Sequence, residues 1–229
     1  MNLPPAAATP TRVWDLPTRL FHWLLAVTVT GSVVTATIGG SAMTWHFRLG
    51  LLAMALLLFR LAWGLVGGYW SRFVHFLYPP RTIVGYLRDP ASAGAFAEVG
   101  HSPLGSLSVL AMLGVLCLQV ATGLVADDEI ANVGPLNRFV SGATAASASS
   151  WHKTGGQWSI FALVALHVAA IGFYRVVKQR DLVGPMVGGD KFLPAGVPAS
   201  ADGVRERLLA LALAALAGLA AWAVLRLGG

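Results

Sequence analysis

Five stretches of the chain, 20–40, 46–68, 104–126, 152–174 and 208–225, are long, apolar and almost free of charge. A helix needs about 20 mostly apolar residues to cross the hydrocarbon layer of a bilayer, so each run is read as a transmembrane span. Lipid offers no hydrogen bonds to peptide groups, which leaves helices and closed barrels as the only spanning structures. The uninterrupted apolar runs lack the alternation of barrel strands. The expected fold class is all-α: an integral membrane four-helix bundle plus a fifth, C-terminal transmembrane helix. A composition with 56% hydrophobic and only 11% charged residues agrees, and sets soluble catalysis aside.

The net charge of +6 is sorted by membrane side. Eleven Lys and Arg fall on the side of the N-terminus, against Arg48, Arg138, Lys153 and Arg226 on the other, with Arg60 inside a span. This positive-inside bias places the N-terminus in the cytoplasm and, after five spans, the C-terminus outside. It also accounts for the basicity without a nucleic-acid partner; membrane lipid is the partner it implies. Residues 1–15 contain no apolar core and do not read as a cleaved signal, so they are expected to be a cytoplasmic tail. The domain 16–180 follows, then a Gly-, Pro- and Ala-rich linker over 181–207 and an accessory helix over 208–227. The connection 69–103 is aromatic and basic, as expected at the headgroup level. The connection 127–151 carries Asp127, Asp128 and Glu129, then SGATAASASS, read as a small flexible stretch. Cys117 is the single cysteine, so no disulfide, Cys-rich zinc site or iron-sulfur cluster forms within this chain.

Four histidines stand near span ends. A histidine in hydrocarbon needs partners for its ring nitrogens. His22 lies near the inner end of the first span, His46 opens the second at the outer end, and His152 and His167 are on the fourth. Fifteen residues separate the last two, about 22 Å along a helix and about 60° around it. This pairs His22 with His167 on the inner side and His46 with His152 on the outer side. Each pair is placed to give one haem iron two axial imidazoles, on facing helices of a bundle. Arg19, Arg60 and Arg72 are candidate partners for haem propionates, because guanidinium binds carboxylate in a fork. His101 is a candidate propionate or quinone contact, or a helix cap, and His75 reads as a headgroup-level residue. Glycines 50, 64, 105, 114, 123 and 172 serve close helix contact or leave room for a flat macrocycle.

The segments VWDLPTRLFHW, WHFRLG, FRLAWGLVG, GHSPLG, LVADDEI with GPL, LVALHVAAIGFYRVVK and MVGGDK resemble the bacterial cytochrome b561 and nickel-iron hydrogenase cytochrome b family, over residues 12–192. The resemblance implies a four-helix core in the bacterial inner membrane, two haem b groups on His22, His46, His152 and His167, and electron exchange between the quinone pool of a respiratory chain and a redox partner. Ser102 stands where the family carries Asn, and the fifth helix lies outside the family's core. The partner is expected to be an external cytochrome c, steered by the acidic triplet, or a dehydrogenase or hydrogenase subunit anchored by this chain. A superoxide-oxidising quinone reductase is a further reading, with few basic residues on the outer side to support it. Metal transport expects carboxylates within the spans, and the span centres hold only Met54, Met112 and Cys117.

Overall fold

Each of the five apolar runs is helical in a computed structural model that describes residues 8–94, 96–129 and 132–228. In chain order the helices are α1 (Leu16–Ile38), α2 (Met43–Val66), α3 (Pro80–Arg88), α4 (Pro103–Val125), α5 (Gly142–Ser150), α6 (Gln157–Val176), α7 (Val183–Gly188) and α8 (Val204–Leu227). All five helices long and apolar enough to span come from these runs, and the chain is an all-α, multi-pass membrane protein. Two short strands, β1 (Thr9–Arg12) and β2 (Asp190–Leu193), pair antiparallel with Thr9 opposite Leu193 and Arg12 opposite Asp190.

The stretch expected to be flexible is instead helix α5. Ser141 caps it, its hydroxyl accepting from the Thr144 amide at 3.2 Å. The alanines that follow lose almost no side-chain entropy in a helix. A π-helical segment, Trp151–Gly156, joins α5 to α6, so one 35-residue helical rod, Gly142–Val176, replaces the shorter span.

The segment read as a linker is likewise built into the structure. Arg12 pairs with Asp190 at 2.8 Å and with Asp202 at 3.2 Å. Ser200 donates to the Val13 carbonyl at 2.7 Å, and the Trp70 indole donates to the Pro198 carbonyl at 2.8 Å. The Val13 and Trp14 amides both donate to Gly189 O, at 2.9 and 3.0 Å. Gly189 itself has φ +97°, where a side chain would be strained. Strands of four residues are too short to announce themselves by alternation, which is why sequence reasoning passed over them.

The chain divides into two compact units. One contains the described residues of Met1–Leu20, Leu61–Val109 and Val168–Leu211, and the other those of Phe21–Arg60, Leu110–His167 and Ala212–Gly229. The first packs Val13, Trp14, Trp70 and Val99 into an apolar core. Beside them Asp15 is wholly buried. Its carboxylate caps α1 by accepting the Thr18 amide at 2.8 Å, and also accepts the Trp63 indole N–H at 3.0 Å and the Ser71 hydroxyl at 2.5 Å. A Cβ on Gly68 would collide with that carboxylate, so the α2 end can approach only as glycine. Ser102, standing in place of Asn, caps α4, its Oγ accepting from the Gly105 amide at 3.2 Å.

Two expectations follow. Asp15→Ala removes a cap, worth about 1 kcal/mol, and strands two buried donors, each worth about 1–3 kcal/mol. Thermal unfolding in detergent should therefore fall by about 3 kcal/mol or more, whereas an unchanged Tm would show that the buried carboxylate holds nothing. Lys191, whose ammonium donates to Val99 O at 2.6 Å, has its pKa lowered by burial to about 8. Between that value and the ordinary lysine range the unfolded chain binds more protons than the folded one, so stability rises with pH there. Lys191→Met should flatten the rise between about pH 8 and 10, which unfolding profiles of both proteins across that range would check.

Candidate functional site

All four span histidines belong to the second unit. His22 on α1 faces His167 on α6 with ring centres 6.3 Å apart and planes at 49°. His46 on α2 faces His152 in the π-helical segment, with centres 6.0 Å apart and planes at 84°. Two imidazoles that bind one metal from opposite sides, each through a bond of about 2 Å, put their ring centres about 6 Å apart. Both pairs are thus spaced for a single ion between them. Among the described residues no group of three or more His, Cys, Asp or Glu could hold a metal. A bare zinc ion, which needs at least three protein ligands, is not served by two. A metal that arrives with its own equatorial ligands needs only the axial pair.

The rings at the second pair are oriented from behind. His46 Nδ1 lies 2.9 Å from the Ser32 carbonyl and His152 Nδ1 lies 2.9 Å from the Gln119 carbonyl. A carbonyl only accepts, so both Nδ1 atoms carry the proton and both Nε2 lone pairs are left for a metal. Gln119 holds His152 twice, because its side-chain amide also donates to the His152 carbonyl at 2.9 Å. The wider π turn suits this site, as such turns recur where function requires a displaced side chain. It turns less per residue than an α-helix and so brings positions 152 and 167 nearer one face than the 60° of a regular helix. At the other pair, His22 Nδ1 is buried without a hydrogen-bond partner, so the two pairs differ in how their rings are fixed.

A cavity of about 880 Å³ adjoins the second pair, lined by His46, His152, Gly50, Gly123, Val29, Leu116, Val120 and Ile160 among others. It falls within the size range of cofactor sites. A Cβ on Gly123 would stand 2.7 Å from His152 Cε1, so the ring fits only against glycine.

These features match those of a known group of proteins. The profile of the prokaryotic cytochrome b561 family fits residues 13–189. The chain belongs to that family. It is 27% identical to a probable Ni/Fe-hydrogenase B-type cytochrome subunit of Azotobacter chroococcum mcd 1, over 79% of this chain and 88% of the relative. The probable Ni/Fe-hydrogenase 1 B-type cytochrome subunit of Escherichia coli (strain K12) is 22% identical over 77% and 88%. A probable Ni/Fe-hydrogenase B-type cytochrome subunit of Cupriavidus necator is 26% identical over 78% and 86%. No solved structure matches significantly. The protein is a membrane b-type cytochrome, and the family implies haem b as its cofactor.

In this b561-family cytochrome the paired histidines, the carbonyl-fixed tautomers and the cavity are what an axially held macrocycle requires, so the residues fit haem. Arg60 shares the second unit and is only 3% exposed. Arg19, Arg72 and His101 belong to the first unit. Arg19 donates to the Val187 carbonyl at 2.5 Å, and Arg72 lies 5.7 Å over the Tyr69 ring. His101 packs between Trp14 and Phe76, with ring centres at 4.8 and 4.6 Å. His75, read as a headgroup-level residue, stacks on Tyr69 at 3.7 Å, and burial followed by the nearby Arg72 charge lowers its pKa. Of the glycines, Gly64 is pressed against Phe73 and Gly123 against His152, while Gly50, Gly114 and Gly172 face open space. Sequence reasoning missed Ser32 and Gln119, whose backbone carbonyls leave no signature, although the Ser32 hydroxyl also lies 3.1 Å from His46 Nδ1 and the Gln119 amide donates to the His152 carbonyl. The GG pair at 155–156 is a faint signal of close approach, since the Gln119 side chain occupies the place of a Gly156 Cβ.

Gly123→Ala should displace the His152 ring and lower the haem bound per chain, whereas Gly114→Ala, on an exposed face, should not. Equal haem content in the two purified variants would remove Gly123 from the site.

Proposed function

We propose that this cytochrome holds two haem b groups, one between His22 and His167 and one between His46 and His152, and relays electrons between quinone in the membrane and a redox partner. The observation that carries this reading is the pair of ring separations, 6.3 and 6.0 Å, each the spacing of two imidazoles on one iron. Haem held by these histidines would supply one-electron chemistry. The chain's own residues do the rest. The Ser32 and Gln119 carbonyls hold His46 and His152 by their Nδ1–H groups, which keeps the rings aligned. Val29, Leu116, Val120 and Ile160 line the cavity with apolar surface, and burial of this kind tunes the potential.

Ser32, which holds His46, is ten residues beyond His22 on α1, about 15 Å along that helix. Arg60, which shares the unit of the four histidines, is assigned to a propionate carboxylate. The excess of Lys and Arg on the N-terminal side supports an inner-membrane orientation with the N-terminus in the cytoplasm.

For the partner, the relatives named as hydrogenase cytochrome subunits support a hydrogenase or related dehydrogenase. Steering of a basic cytochrome c by the acidic triplet has less support. Asp127 accepts the Glu129 amide at 2.8 Å and Asp128 the Asn132 amide at 2.8 Å, so two of the three carboxylates are spent on shaping their own turn.

The test is haem quantitation by pyridine haemochrome, with reduced-minus-oxidised spectra, on single and paired variants. Wild type should carry two haems. His46→Ala, His152→Ala and the double variant should lose the same one, and His22→Ala and His167→Ala the other. Loss of one spectral component by both His22→Ala and His46→Ala would contradict the pairing.

A further inference from the structure

Helix α8 lies beyond the family match, which ends at residue 189, and nothing about it is inherited from the four-helix core. Its outer faces carry Leu211, Leu216 and Leu219, each at least 60% exposed, as expected of a helix bathed in lipid. One face differs. Ala217 and Ala221 are buried, and four and then three residues further along, within about 80° of Ala217 around the helix, come Leu225, which is half-exposed, and Gly228. Both of these line the cavity that adjoins His46 and His152. Small residues let membrane helices approach closely, and the contact at the helix end is tight: a Cβ on Gly228 would stand 2.7 Å from Pro135 Cβ, itself a wall of the same cavity.

We infer that α8 is the closing wall of the His46–His152 site and shields that haem from lipid and water, rather than serving as a separate anchor. The inference rests on the proposed haem between His46 and His152. Ala217 and Ala221 seat the helix, Leu225 supplies apolar surface to the cavity, and Gly228 against Pro135 seals the end. The redox potential of a haem depends on its burial and solvent exposure, so a wall added outside the family core gives this chain its own means of setting the potential of one haem and not the other.

The test uses the full chain with a tryptophan placed on either of two faces of α8. Leu225→Trp projects bulk into the cavity and should reduce the haem count from two to one, with loss of the same spectral component that His46→Ala removes. Leu219→Trp, on the exposed face, should keep both haems at wild-type potentials. In the full chain Leu225→Ala thins that wall, and the midpoint potential of the His46–His152 haem should fall, because water favours the more highly charged ferric state. Leu225→Trp with two haems at unchanged potentials would overturn the inference. A wild-type chain with fewer than two haems would instead overturn the proposed function, whatever α8 does.

Discussion

An imidazole placed in hydrocarbon carries two ring nitrogens that water would otherwise satisfy, and leaving either unmet costs several kcal/mol. At His46 and His152 one nitrogen of each ring is met from behind, by the carbonyls of Ser32 and Gln119. The two ring centres stand 6.0 Å apart. With the Nδ1 protons committed, the Nε2 lone pairs are left available, as the proposed haem iron between the rings would require. Gly123 and the π turn at 151–156 lie at these rings, and a Cβ at 123 would stand 2.7 Å from His152 Cε1. A larger residue at 123 or a regular α-helical turn would move one of them.

The first unit meets the same demand with different chemistry. Asp15, a polar side chain with no solvent access, is tolerated because three donors converge on it from α1, α2 and the turn after α2. That one carboxylate ties the start of the first span to the end of the second. The β1–β2 pair and the Arg12 ion pairs then tie both to the segment that leads into α8. Residues that look like a tail and a linker are thereby enlisted as structure around the ends of the spans.

Much of this was legible in the residues. Spans are visible because lipid permits few alternatives, and the level of each histidine follows from its distance along a helix of known rise. What stayed hidden has a common physical origin. Backbone acceptors such as Ser32 O and Gln119 O have no residue-type signature. The π turn over WHKTGG follows from tertiary packing against Gln119 rather than from local propensity. SGATAASASS looked flexible because its residues are small, although alanine and a serine cap are good helix formers. The segment 190–193 becomes a strand only when 9–12 is beside it. The role of α8 was equally hidden, since Ala217, Ala221, Leu225 and Gly228 stand out in an Ala- and Leu-rich helix only once burial and cavity lining separate its faces.

The two pairs are not copies. Their ring planes cross at 49° and 84°, and only the second pair has both Nδ1 protons bound to carbonyls. Imidazole orientation governs the anisotropy of low-spin ferric iron, so the central claim is open to a direct reading by low-temperature electron paramagnetic resonance of the oxidised, purified protein. The account predicts two low-spin ferric species of unequal anisotropy, the more anisotropic one absent from His46→Ala and from His152→Ala. A single low-spin species, or a high-spin signal from iron with an open axial position, would contradict it.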